Sequence, residues 1–264
     1  MKALQCVELG GPEKLQVNEI DAPEVVPGHV VIEVKSGSIN FPDVLMIQGL
    51  YQFQPPLPFI PGGESAGVIS EVGEGVTKFK EGDKVFAMTG VGAFAEKILA
   101  AESNCMPIPE SMDFDSAAAL SMTYGTSLYA LKQRASLQPG ETLLVLGASG
   151  GVGLAAIELG KAMGAKVIAA ASTQDKIDMC LSHGADEGFI YPSSNLDRDQ
   201  QKELSNKIKE LTGGLGPNVI YDPVGGSYAE PCLRSIAWEG RYLVIGFAAG
   251  ADQIPKMPLN LTLL

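Results

Sequence analysis

The stretch LLVLGASGGVGLAAIELG, residues 143–160, places Gly147, Gly150 and Gly153 between an apolar run and a helical pattern. Glycines at such a turn let the backbone come close to a bulky anion, and the first N–H groups of the following helix point at it. The chemistry that fits is the binding of a diphosphate. At the head of an alternating strand–helix series, that diphosphate belongs to a dinucleotide. The spacing is G-x-x-G-x-x-G, where G-x-G-x-x-G is commoner, so the signal lies in its place between strand and helix. A tight turn with no ligand is the plain alternative.

The next apolar run, AKVIAAAS, ends in Ser172 and Thr173. A sheet that binds NAD normally ends this strand in Asp or Glu, which bonds the ribose hydroxyls. The nearest acid, Asp175, forms a Ser-x-x-Asp pattern with Ser172 and is expected to cap the following helix. Lys176 lies one turn into that helix and offers positive charge to a 2′-phosphate, which an acid in the strand would repel. The expectation is NADPH over NADH, weighed against an ordinary solvated lysine.

Other reactive groups are sparse. The two histidines, His29 and His183, and the four cysteines, Cys6, Cys105, Cys180 and Cys232, are scattered and form no CxxC pair. A zinc site needs such residues clustered, so no metal is expected. Acidic side chains outnumber basic ones 31 to 19, for a net charge of -12, which repels phosphate backbones and argues against nucleic acid as a partner. The opening MKALQCVELGG reaches Glu8 before any signal-like apolar run develops. No run approaches the roughly 20 apolar residues of a membrane span, so a soluble cytosolic protein is expected.

The elements that must position these groups fall into two parts. Up to about residue 114 the chain reads as short strands between glycine turns, with MKALQCVEL and KLQVNEI as a hairpin. HVVIEVKSGSIN, ESAGVISEVG, DKVFAM and GAFAEKILA follow as strands, and proline-rich YQFQPPLPFIPGG as irregular chain. That pattern predicts a small, partly closed β-barrel. A helix is expected from Asp115 to about Ala135. Beyond it, strands TLLVLG, KVIAAA, EGFIY, PNVIYDPVG and RYLVIGF alternate with helices, which predicts a parallel sheet with crossover connections. The DRDQQKELSNKIKELTG segment sets Leu204, Ile208 and Leu211 on one face of an amphipathic helix.

Along its whole length the sequence resembles the zinc-independent quinone oxidoreductases of the medium-chain dehydrogenase/reductase superfamily, the group that includes zeta-crystallin. The resemblance rests on SINFPDVLMIQGLY, IPGGESAGVI, VGEGVTKFKEGDKV, TYGTSLYAL, LGASGGVGLAA, GADEGFIY and NVIYDPVGG, in that order. It implies an α/β protein with a GroES-like β-barrel catalytic domain over residues 1–121 and a doubly wound Rossmann domain, binding NADPH, over 122–264. Zinc-using relatives carry Cys where this chain has Ser38 and His where it has Gly63, so no zinc is implied. Ser149, Gly150, Gly151, Val152 and Gly153 would line the pyrophosphate, and Ser172, Lys176 and Tyr191 the 2′-phosphate. Thr126, Gly246 and Phe247 would lie near the nicotinamide, with Asn40 and Tyr51 as the catalytic domain's polar groups.

The implied reaction is hydride transfer from NADPH to a quinone or to the β-carbon of an α,β-unsaturated carbonyl. Tyr51 and Asn40 are the candidate donors to the developing oxygen anion. An enoyl-thioester reductase and a non-catalytic NADPH-binding protein are the alternatives. One departure stands out. The family normally continues past PLNLTLL into a sixth strand and a return into the catalytic domain, whereas five strands are counted here. That sixth strand commonly pairs the subunits of a homodimer, so a chain ending at Leu264 is expected to lack the usual interface. Truncated, partial and naturally short forms read alike.

Overall fold

The computed structural model describes residues 1–192, 195–250 and 253–262. They form two compact units, Met1–Met122 and Thr123–Leu264. In the first, β1 (Lys2–Cys6) and β2 (Leu15–Glu19) pair antiparallel, as the hairpin pattern requires. The strands β3 (His29–Ser38), β4 (Glu64–Val72), β5 (Lys84–Met88), β6 (Lys97–Ala101) and β7 (Cys105–Pro107) form an antiparallel sheet in the order β6-β3-β4-β5-β7. It keeps two edges, β6 and β7, and the β1–β2 ribbon meets it through a bridge between Ala3 and Ala95. Alternation along β3, β4 and β5 buries Val30, Ile32, Ile69, Val85 and Ala87 in one cluster. Ala66 and Phe86 pack instead with Ala117 and Ala118 of α2 (Phe114–Ala118).

Two elements of this unit escape the sequence pattern. Strand β7 is three residues long and ends in Pro107, so it has no period to read. Helix α1 (Phe41–Ile47) begins at a Phe-Pro pair that reads as a turn, yet proline is tolerated in a first helical turn, and the Asn40 N–H donates to Asp43 Oδ2 at 2.8 Å.

The helix expected over Asp115–Ala135 is present, with a single turn residue at Ala119 and an irregular hydrogen-bond register. After α2 the backbone turns through wide, i→i+5 hydrogen-bonded stretches at 121–125 and 129–134, on either side of α3 (Thr126–Leu128). The Ala135 N–H donates to the Ala130 carbonyl and the Leu137 N–H to that of Leu131. Such turns are rare and cost hydrogen-bond geometry, so tertiary contacts must hold them.

The second unit is a parallel sheet of β8 (Thr142–Val145), β9 (Lys166–Ala171), β10 (Glu187–Ile190), β11 (Val219–Asp222) and β12 (Arg241–Val244). Their order is β10-β9-β8-β11-β12, five strands among the described residues. Helices α4 (Gly151–Ala162), α5 (Gln174–Ser182), α6 (Arg198–Leu211) and α7 (Ala229–Ser235) supply the crossovers. One face buries Leu143, Val145, Val167, Ala169, Val219 and Tyr221 against Ala156 and Ile157 of α4. The other buries Leu144, Ile168, Ala170 and Ile220 against Leu204 and Ile208 of α6, the apolar face expected of that helix. Near-continuous apolar strands are the mark of a sheet covered on both sides. No helix among the described residues is long and apolar enough to cross a membrane.

The sheet's lower end is clamped by Arg241, the first residue of β12. Its Nη1 and Nη2 bond Glu141 Oε1 and Oε2 at 2.8 and 2.6 Å, and its Nε donates to the Ala135 carbonyl at 2.9 Å. The Arg241 hydrogen bonds, foremost among several causes, hold the Glu141 carboxyl below the usual range. A depressed carboxyl contributes stability above its unfolded-state pKa and loses it as pH falls through the folded one. Arg241→Ala should therefore cost about 1–3 kcal/mol at about pH 7, and less at about pH 3, in urea unfolding. An equal loss at both pH values would contradict an ionic clamp.

Candidate functional site

The glycine turn lies at the carboxyl end of β8. Gly147 adopts φ 55, and a Cβ there would also meet Val224 Cγ2 at 2.9 Å. At Gly153 a Cβ would stand 2.6 Å from the carbonyl oxygens of both Gly147 and Ala148. The helix start is thus pressed onto the turn, and no side chain fits between. Gly150, extended at φ -77 and ψ 167, is the N-cap of α4, and its own N–H is taken by the Gly147 carbonyl at 2.9 Å. The N–H groups of Gly151, Val152 and Gly153 come first in the helix and have no acceptor within it. With the positive end of the helix dipole, they make a local anion site in an acidic protein. Ser149 completes the turn, so the five residues expected at a pyrophosphate are together; Gly150 gives shape rather than a donor.

At the end of β9, Lys176 Nζ donates to Ser172 Oγ at 3.0 Å. The cap of α5 is one residue later than expected: Thr173, not Ser172, accepts from the Lys176 N–H, at 3.4 Å. Asp175 therefore has no capping partner in Ser172 and sits in the first turn, where the helix dipole favours an acid. Ser172 is left to the lysine. Tyr191, expected beside this pair, accepts the Gly147 N–H on its hydroxyl at 3.2 Å. Its ring is buried against Tyr228, centroids 4.8 Å apart, and burial pushes the phenol up to about 12.

Thr126 opens α3, and its neighbour Ser127 donates to the Val152 carbonyl at 3.0 Å while bonding the Tyr221 hydroxyl at 2.8 Å. This buried hydroxyl ties the wide-turned segment to the start of α4. Gly246 and Phe247 follow β12. The Gly246 N–H reaches the Asp222 carbonyl at 3.4 Å, and the Ala248 N–H the Pro223 carbonyl at 3.0 Å. Asp222 organises this loop and was not singled out by the sequence pattern, although an Asp before Pro is a turn signal. Its Oδ1 accepts from the Val224 and Gly225 N–H groups, each at 2.8 Å, and its Oδ2 from the Tyr242 hydroxyl at 2.6 Å. Burial first, then the Asp222 charge, raises the Tyr242 phenol far above its ordinary range. Asp222 ends β11 and the Gly246–Phe247 loop follows β12, so both lie at the carboxyl edge of the sheet, where doubly wound folds bind ligands.

In the first unit, Asn40 precedes α1. Its Nδ2 donates to Ser38 Oγ at 2.9 Å and to Glu64 Oε1 at 2.8 Å. Both amide hydrogens are then in use within the first unit. Ser38 also donates to Glu64, whose Oε2 accepts from the Met122 N–H at 2.8 Å. Glu64 is 1% exposed, so this carboxylate is a fully bonded buried anchor. Asp43 nearby is shifted upward, by burial above all, with the Glu64 charge adding to it. A zinc site does not fit here. Ser38 donates rather than ligates, residue 63 has no side chain, and Glu64 is occupied by three donors. Among the described residues no group of three His, Cys, Asp or Glu could hold a metal. Tyr51 is half-buried and packs against the cluster of Cys6, Met46, Ile47 and Phe59.

Two family models match: alcohol dehydrogenase GroES-like domain over residues 26–110 and zinc-binding dehydrogenase over 151–264. Quinone oxidoreductase-like protein 2 of Rattus norvegicus is 40% identical over 264 residues, 100% of this chain and 72% of the relative. Quinone oxidoreductase of Homo sapiens is 35% identical over 97% of this chain and 76% of its own length. Escherichia coli quinone oxidoreductase, solved as a complex with NADPH, superimposes with a TM-score of 0.87 at 32% identity, covering 99% of this chain and 77% of that one. The anion-binding turn and the parallel sheet agree with this likeness. The chain belongs to the quinone oxidoreductase family of the medium-chain dehydrogenase/reductase superfamily.

Proposed function

We propose that the protein is an NADPH-dependent, zinc-independent oxidoreductase that reduces quinones or α,β-unsaturated carbonyls. The observation that carries the cofactor choice is the Lys176–Ser172 hydrogen bond at the end of β9, in the place where NAD-binding sheets keep an acid. A cation and a hydroxyl there favour a 2′-phosphate, and the α4 N-terminus favours the diphosphate. NADPH complexes of relatives such as the Escherichia coli enzyme support the same reading.

Residues 1–121 serve in this reading as the GroES-like catalytic domain and 122–264 as the cofactor domain. Gly151, Val152 and Gly153 offer their N–H groups to the diphosphate, with Ser149 beside them. Thr126, Gly246 and Phe247 orient the nicotinamide ring, which when bound supplies the hydride. With Asn40 held by Ser38 and Glu64, Tyr51 is the donor to the oxygen on which charge develops. The bonding of Ser38 to Glu64 supports a reaction without a zinc ion as Lewis acid.

Two outcomes follow. Lys176→Ala should raise the Kd for NADPH roughly tenfold in a fluorescence titration, with that for NADH unchanged. Equal weakening of both would remove the 2′-phosphate from Lys176. Tyr51→Phe should lower kcat with p-benzoquinone by about 10- to 100-fold at an unchanged NADPH Kd. Wild-type turnover in that variant would take Tyr51 out of the mechanism.

A further inference from the structure

Two loops meet beyond β11 and β12, and Asp222 holds them both. It ends β11 and is 2% exposed. Its carboxylate takes the Val224 and Gly225 N–H groups of one loop, and its main-chain carbonyl takes the Ile245 N–H at 2.9 Å from the other. The Ala248 and Ala249 N–H groups donate back to the carbonyls of Pro223 and Val224 at 3.0 and 2.9 Å. Gly225 adopts φ 69 and ψ -139, and a Cβ there would stand 2.9 Å from Phe247 Cδ1. The Phe247 ring therefore rests on the Gly225 backbone, which Asp222 holds in turn. On the other carboxylate oxygen the Tyr242 hydroxyl donates at 2.6 Å. Burial, then the Asp222 charge, keeps that phenol protonated, so the donor is permanent.

We infer that Tyr242 and Asp222 form a positioning pair for Phe247, acting through Gly225 on the nicotinamide end of the cofactor site. This rests on the reading of Phe247 as a neighbour of the nicotinamide. A carboxylate as buried as Asp222 is tolerated only with donors on its oxygens. Without the phenol O–H, Oδ2 must find water or another N–H, and the carboxylate turns as it does so. Its grip on Val224 and Gly225 then slackens. Gly225 has no side chain to restrict its backbone, so it follows, and the ring packed on it loses support. Binding must reorder Phe247, and that cost falls on the part of a ligand that Phe247 meets. A slack loop has a second route outward. A Cβ at Gly147 would stand 2.9 Å from Val224 Cγ2, so Val224 also borders the diphosphate-binding turn. The two routes load opposite ends of the cofactor.

NADPH and 2′-phospho-ADP-ribose share the diphosphate and the 2′-phosphate and differ in the nicotinamide ring. Their dissociation constants, measured by calorimetry on the full chain, separate the two routes. Tyr242→Phe should raise the Kd for NADPH roughly tenfold and leave that for 2′-phospho-ADP-ribose within about twofold, at a native circular dichroism spectrum. Phe247→Ala should give the same pattern. Adding Tyr242→Phe to it should change neither constant further, because one chain of contacts carries both effects. Equal weakening of the two ligands by Tyr242→Phe would overturn the inference in favour of the route through Val224. Unchanged affinity for NADPH, or additive losses in the double variant, would overturn it too. Should Tyr242→Phe not fold, Asp222→Asn, which sets an amide donor against the Tyr242 hydroxyl, reads the same two constants. Wild-type NADPH affinity in Phe247→Ala, beside a loss in Tyr242→Phe, would refute the nicotinamide reading of Phe247 and the inference with it.

Discussion

Three backbone N–H groups at the start of α4 have no acceptor in their own helix, and the second unit is built around keeping them so. A side chain at Gly147 or Gly153 would push the helix off the turn. Ser127 holds the preceding segment to Val152, Tyr191 holds the turn from below, and Asp222 holds the neighbouring loop. Each of these contacts satisfies a group that would otherwise compete for, or distort, the free donors. A net charge of -12 makes the arrangement necessary, because the surface at large repels a dinucleotide.

Buried carboxylates play the complementary part. Asp222 and Glu64 are 2% and 1% exposed, and each is surrounded by donors from its own unit. Such groups are tolerable only when fully bonded, and once bonded they hold loops in a single conformation. Glu64 is the clearer case, with three donors on its two oxygens. Ser38 and Asn40 close on the carboxylate, so the space is filled by hydrogen bonds that also fix the start of α1. The same bonding occupies both hydrogens of the Asn40 side-chain amide.

Much of this was legible in the sequence where local chemistry decides the outcome. Glycine turns marked the strands of both units, and the apolar face of α6 followed from Leu204 and Ile208. The count of five parallel strands matches the sheet among the described residues. What was hidden depends on backbone detail or on distant partners. Adjacent hydroxyls at 172 and 173 leave the cap ambiguous, and the extended backbone of Thr173, φ -144 and ψ 161, decides it. Wide helical turns at 121–125 and 129–134 leave the composition of a helix unchanged, so the widened register within Asp115–Ala135 has no sequence signature. Helix α1 did have one, Asn40-x-x-Asp43, masked by the Phe-Pro pair between. The partners of Tyr191 and Asn40 lie 44 and 24 residues away, beyond any local pattern.

The central claim is that this chain takes its reducing equivalents from a dinucleotide selected by its 2′-phosphate. The most direct measurement follows absorbance of the reduced cofactor as the 264-residue chain turns over p-benzoquinone, with NADPH and NADH in parallel. The account predicts quinone-dependent oxidation of NADPH at a kcat/KM at least about tenfold above that with NADH. Equal rates with the two cofactors, or a preference for NADH, would contradict it.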